Sequence, residues 1–403
     1  MKRITTLGLT GLLLVMMAAM ACQKDNTQQG KKSKRDDAGY QKNIYLRINQ
    51  KRDNALVRRM LYIVLWALTA LSFTCACTKE PLYQTDPADI PDTSPLITVI
   101  YDPDALGDRS YNDLIYKGVE DAAKEYGLRT MQLAPASMEE GFAYLETVFS
   151  QMPSIQDTVR RLFIVTSPAY DEFLRKNNKR LEASPNTDLL YLETTTPLDG
   201  KGSTLMLPYY GAMYEAGALS SILYDSALLV GANPENESVK EAMDGFADGY
   251  DRKLITRYLG RTQEEGFSVT DSTALKLLYA EDEVTVTSLV IPVCGGAGST
   301  LCRLVDIMGS LHYMGIDVDR SSRYCQISAV KHIDKAVSLC IDQWMSPGGM
   351  PKHQSFGLES GYIEVMLHSS FYESAKDEGV EITDEYRNRI HREAIEKEAA
   401  YEK

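Results

Sequence analysis

The sequence predicts an α/β fold built on two doubly wound parallel sheets, and three observations carry that prediction. Short apolar runs alternate with amphipathic helical segments from residue 96 onward. The connections between them are short, so successive strands are expected to lie parallel beneath covering helices. The alternation lasts about 300 residues, more than one such sheet accommodates.

Taken in order, LITVIY (96–101) reads as a buried strand. YNDLIYKGVEDAAKEYG (111–127) reads as a helix with Leu114, Ile115, Val119 and Ala122 on one face and Gly127 as its stop. RTMQLA, RRLFIVTS (160–167) and TDLLYLET supply further strands, with helices in MEEGFAYLETVFSQM and AYDEFLRKNNKRLEAS. GAMYEAGALSSIL, SALLVGA, ESVKEAMDGFADGYDRKL, TVTSLVIPV, TLCRLVDIMGSLHY, MGIDVDR and VKHIDKAVSLCIDQWM continue the rhythm. The last of these is read as a helix that includes Lys331. TDEYRNRIHREAIEKEAAYEK is read as a solvated terminal helix.

Charge narrows the function classes. The net charge is −13, but residues 1–80 carry about +9, which leaves about −22 on the rest. An acidic folded part excludes nucleic acid as the expected partner, because phosphate binding needs a basic surface.

The amino terminus reads as targeting sequence. MKRITTLGLTGLLLVMMAAMAC joins a basic start to an apolar run and ends at Cys22. A second segment, RRMLYIVLWALTALSFTCACTKEP, repeats the pattern and ends at Cys75 and Cys77. The second abuts the globular part and is the expected working signal. Cys77 is the expected acylated residue, with Cys75 and Cys22 as alternatives. Residues 1–59 are then an extension, 60–77 the signal, and 78–95 a tether rich in Pro, Asp and Thr. Cys294, Cys302, Cys325 and Cys340 match no zinc spacing and are expected to be buried thiols, although a disulfide is permitted outside the cytoplasm.

In open parallel sheets ligands gather at the carboxyl ends of the strands. Four junctions there are polar, small or aromatic: DALGDRSYND (104–113), TSPAYDE, VCGGAGST (293–300) and GIDVDRSS (315–322). At the first, Asp108 or Ser110 reads as a helix cap, or the segment reads as a pocket wall carrying Tyr111 and Asn112. CGGAGST lacks the lysine of a phosphate-binding loop, and its glycines fit either a tight turn or close backbone approach to a ligand. Asp317 fits either a cap or a grip on vicinal hydroxyls. No metal, cofactor or nucleophile signature stands out, so neither an enzyme nor a cofactor is expected.

Together these junctions resemble the basic membrane protein (BMP) family of lipid-anchored substrate-binding proteins of ABC transporters, whose better-known members bind purine nucleosides. DALGDRSYNDLIYKGVEDAAKEYGL is similar to the family's opening. YYGAMYEAGALSSIL, LLVGANPENESVKEAMDGFADGYD, CGGAGS, GIDVDR, SAVKHIDKAV and SFGLESGYI follow in the family's order over residues 96–365. The resemblance implies a type I periplasmic-binding architecture: two α/β lobes, a three-segment hinge and a ligand between them. Lobe one would span about 96–203 plus 323–365 and lobe two about 204–322, with 366–403 a helical tail.

By the same resemblance Tyr111 would stack on the base, Asn112 would line the same wall, and Asp171 would meet the base edge. Asp317 would hold the ribose hydroxyls, Lys331 would reach the sugar or support Asp317, and Gly296 and Gly298 would give backbone room. Asp108 belongs to the same ligand wall. The chain departs from the family at TSPAY, at Arg320 and at Ser299-Thr300. The implied partners are a nucleoside-like molecule, an ABC permease and a membrane, in the cell envelope outside the cytoplasm. A ligand sensor without transport, an enzyme on a nucleoside or glycan, and a surface lipoprotein with a decayed cleft are the competing readings.

Overall fold

The structure is a computed structural model that describes residues 93–401 apart from 104, 152–157, 264, 280–287 and 321. Cys77 and both signal segments lie outside the described residues.

Five strands come first: β1 (Leu96–Ile100), β2 (Arg129–Leu133), β3 (Arg161–Val165), β4 (Thr187–Leu192) and β5 (Gly202–Met206). Five more follow: β6 (Ser226–Gly231), β7 (Lys253–Tyr258), β8 (Leu289–Val293), β9 (His312–Asp317) and β10 (Cys325–Lys331). β11 (His353–Ser355) and β12 (Ile363–Leu367) close the set. They form two six-stranded sheets, ordered β11-β5-β4-β3-β1-β2 and β12-β10-β9-β8-β6-β7. Every pairing is parallel except β10 with β12. Strands such as LFIV, SALLVG and LVIPV are buried along their whole length, as strands covered on both faces must be.

The helices are α1 (Tyr111–Tyr126), α2 (Met138–Gln151), α3 (Asp171–Asn177), α4 (Tyr210–Ser220) and α5 (Glu237–Gly249). α6 (Asp271–Leu278), α7 (Gly295–Met308), α8 (Ile333–Met345), α9 (Ser369–Asp377) and α10 (Asp384–Tyr401) complete them. Gly127 ends α1 in the left-handed conformation at φ 63°, with its N–H bonded to Ala123 O. The glycines of the two quoted helical segments let α4 and α5 touch backbone to backbone. A β-carbon at Gly245 would strike Tyr210 O, and one at Gly249 would strike Tyr214 O.

The chain crosses between the sheets three times: from β5 into α4, from β10 into α8, and from β11 to β12. The second crossing corrects the expected boundary at residue 323. β10 pairs with β9 and β12 and so belongs to the second sheet, and the chain returns to the first lobe with α8, which packs on α1, and β11, which pairs with β5. It also corrects Lys331, which ends a strand. The run CQISAVK is buried throughout, and no periodicity separates so short an apolar run from a helical one. A third correction concerns GYDRKL, where the helix stops at Gly249 and Lys253 opens β7.

The terminal helix α10 is also not simply solvated. Ile390, Ala394 and Glu398 are buried. Glu398 accepts hydrogen bonds from Gly211 N at 3.0 Å and Leu358 N at 2.9 Å, beside the first and third crossings. Tyr401 stacks on Tyr210 with ring centres 4.3 Å apart.

Candidate functional site

A cavity of about 540 Å³ lies where the carboxyl ends of the two sheets face each other. Residues just past β1, β2, β3 and β4 line one side, including Leu106, Tyr111, Met138, Thr166 and Glu193. Residues past β6, β7, β8 and β9, together with the end of β10, line the other, including Asn236, Phe267, Gly296, Asp317 and Lys331.

The decapeptide 104–113 is both turn and wall. Asp108 is buried and performs the capping: Oδ1 accepts from Ser110 N at 2.8 Å, and Oδ2 accepts from Asn112 N and Asn112 Nδ2, each at 3.0 Å. Burial pushes the Asp108 carboxyl up, and these donors pull it back down. The carboxylate is thus spent on the turn that presents Tyr111 and Asn112 to the cavity.

Asp317 sits at the end of β9 with φ 63°, a left-handed conformation that a non-glycine residue holds at about 1–2 kcal/mol. The packing holds it there. Its N–H donates to Tyr209 Oη at 3.0 Å, and its Oδ2 accepts from Ser110 Oγ on the opposite lobe at 2.9 Å. Burial raises the Asp317 carboxyl, opposed by the Lys331 cation and the Ser110 hydrogen bond.

Glu193, one residue past β4, repeats the pattern at φ 56°. Its Oε2 accepts from Ser238 Oγ at 2.9 Å and its Oε1 faces Lys331 Nζ at 3.4 Å. Both partners come from the second lobe. The side chains of Lys331 and Glu193 are 5% and 6% exposed, so this is a buried pair and water screens it little. The ammonium also lies 4.5 Å from the centre of the Tyr209 ring and 5.8 Å from that of Tyr111.

Glu241 completes the cluster, accepting from Tyr209 N at 2.9 Å and Tyr210 N at 3.2 Å. Burial pushes its pKa up to about 7 against the pull of Lys331. The lobes meet at further points: Ser299 Oγ donates to Asp108 O at 2.7 Å, and Arg320 Nη2 donates to Arg109 O at 3.4 Å.

Of the residues singled out in the sequence, Asp108, Tyr111, Asn112, Gly296, Asp317 and Lys331 all line this cavity. Asp171 does not. It begins α3, and its carboxylate pairs with Arg175 Nε one turn on at 2.8 Å. Gly298 lies behind the cavity, where a β-carbon would come within 2.9 Å of Pro292 O. Glu193 and Phe267 escaped the sequence reading because each sits in a stretch without a motif, and Tyr209 and Glu241 because the segments that hold them read as helices and not as cleft walls. The four cysteines are buried free thiols, and no metal-holding cluster exists among the described residues.

Two facing parallel sheets with one strand order, three crossings and a cavity at the strand ends define a type I periplasmic-binding-protein fold. Solved structures agree. An ABC transporter system solute-binding protein from Aeropyrum pernix K1 superposes with a TM-score of 0.57 at 18% identity, over 75% of this chain and 86% of that one. A transcriptional activator of the comK gene from Bacillus halodurans gives 0.54 at 15% identity, over 73% and 94%. An ABC transporter solute-binding protein from Burkholderia graminis, in complex with D-arabinose, gives 0.51 at 16% identity, over 70% and 98%. At these identities the likeness is one of fold. No family model and no curated protein matches the sequence.

Proposed function

We propose that this protein is an extracytoplasmic solute-binding lipoprotein that captures a nucleoside-like molecule between its lobes and delivers it to an ABC permease. The observation that carries the reading is the cavity, walled by the strand ends of both sheets. It presents the Tyr111 and Phe267 rings together with the buried Asp317–Lys331 charges. About 540 Å³ falls in the size range of small-molecule sites. The rings would hold a planar base, and Asp317 with Lys331 would grip sugar hydroxyls through charge-assisted hydrogen bonds. The BMP resemblance supports a purine nucleoside, and the solute-binding neighbours support a transport role. Anchoring rests on the sequence alone, with Cys77 as the acylated residue; no helix among the described residues is long and apolar enough to cross a membrane.

A ligand sensor is the second reading, favoured by the fold's occurrence in a transcriptional activator. Calorimetry of the full chain with adenosine, inosine, D-ribose and D-arabinose tests the proposal. Micromolar or tighter binding of a nucleoside without turnover is expected. Product formation would replace the binding role with an enzyme, and a failure of all four to bind would retire the nucleoside-like ligand.

A further inference from the structure

The lobe-one wall holds polar groups that the reading above leaves unused. Thr166 and Tyr111 both line the cavity; the Thr166 hydroxyl, just past β3, is buried with no hydrogen-bond partner, and the buried Tyr111 hydroxyl is set against the Glu193 carboxylate. A buried hydroxyl left unpaired is costly, so such a group marks a place where something else completes the bond. β3 and β4 run side by side with Val165 opposite Tyr191, which brings Thr166 and Glu193 to the same edge of the sheet. Tyr111 stands in the field of the Glu193 and Asp317 carboxylates. An ionised carboxylate offers about four acceptor positions. Glu193 meets Ser238, Lys331 and the Tyr111 hydroxyl, which leaves it room for one further donor from a ligand.

The charge balance points the same way. The described lining residues include four carboxylates, Asp102, Asp108, Glu193 and Asp317, against the single cation Lys331. Lys331 already answers Glu193, Asp317 and Glu241. A phosphate entering this cavity would meet net negative charge on the described lining, with the one lining cation already engaged.

We propose that Glu193, with the Thr166 and Tyr111 hydroxyls, forms a donor-reading subsite that takes an O–H or N–H group of an uncharged ligand and excludes phosphorylated ones. This rests on the solute-binding reading and names the ligand class for it. Glu193 is then the lobe-one counterpart of Asp317, and Asp171 has no part in recognition.

The test is calorimetry of the full chain with two probe pairs, adenosine with adenosine 5′-monophosphate and D-ribose with ribose 5-phosphate. A neutral member should bind at least a hundredfold more tightly than its phosphorylated partner. Glu193→Gln should weaken the neutral probe at least tenfold and narrow the gap within the pair. Thr166→Val keeps the shape of the side chain and removes an unpaired hydroxyl. It should leave the melting temperature unchanged or raised while weakening the neutral probe at least threefold, a combination that a purely structural role does not produce. Should Glu193→Gln fail to fold, the Thr166→Val result decides.

Equal binding of a phosphorylated partner overturns the subsite. So does wild-type affinity in both variants, while the solute-binding reading survives either result. Absence of binding by all four probes overturns both together.

Discussion

The two lobes solve one problem twice with different wiring. β4 and β9 occupy equivalent places in their sheets, and each delivers a left-handed acidic residue to the cleft, Glu193 and Asp317. Asp317 is fixed from two sides, through its backbone by Tyr209 and through its carboxylate by Ser110. Glu193 has a single short side-chain bond, from Ser238, and a longer approach to Lys331. Glu193 also has a backbone bond, its N–H donating to Leu205 O at 2.8 Å. Each acid is thus pinned through its main chain and reaches a hydroxyl of the opposite lobe. The difference is that Glu193 also faces the Lys331 ammonium at 3.4 Å. Strain stored at matched positions in a cleft indicates function more strongly than either site would alone.

The largest test of this comparison removes the cation shared by both acids. Lys331→Met should destabilise the protein by about 3–5 kcal/mol in urea melts at pH 7.5, because two buried carboxylates lose their counter-charge. Part of the loss should return as the pH is lowered, because burial already raises the Asp317 carboxyl and the Lys331 cation that opposes this is gone. A loss below about 1 kcal/mol would mean that the acids are paired otherwise.

The second test uses Glu241, the third acid near Lys331. Its folded pKa of about 7 lies above its ordinary value of 4.5. Between these pH values the unfolded chain releases the proton while the folded chain keeps it, so stability falls as pH rises and levels off above 7. The full effect is about 3 kcal/mol, and Glu241→Gln should flatten that slope in melts from pH 4.5 to 7.5. An unchanged slope would assign the pH dependence to other groups.

The smallest test compares the two hydroxyls that bridge the lobes. Ser110→Ala removes a buried donor to Asp317 and should cost about 2 kcal/mol; Ser238→Ala removes a half-buried donor to Glu193 and should cost about 1. The reverse order would make Glu193 the more firmly held acid.

The sheets were legible because strands buried on both faces leave unbroken apolar runs, and the first cleft wall because a polar turn interrupts that rhythm at residues 104–113. Asp317 could be found because it closes a strand inside a recognisable turn. Glu193 could not, since TDLLYLETTTP carries no turn signal and its left-handed φ is imposed by tertiary contacts. The boundary at 323 failed for a similar reason. Which sheet β10 joins depends on partners distant in sequence, and no local preference encodes that choice. Asp171 misled because its neighbour Arg175, one helical turn away, claims it first.

The carboxylate of Glu398, threaded between Gly211 and Leu358, has a consequence for how the molecule is made. The first sheet needs β11 near residue 353 for its edge, and the crossings need residue 398 for their backbone donors. A ribosome builds from the other end, so the β5 edge of the first sheet can be covered only after residues 353–355 have emerged. The first and third crossings therefore gain this shared acceptor only when nearly the whole chain has been made.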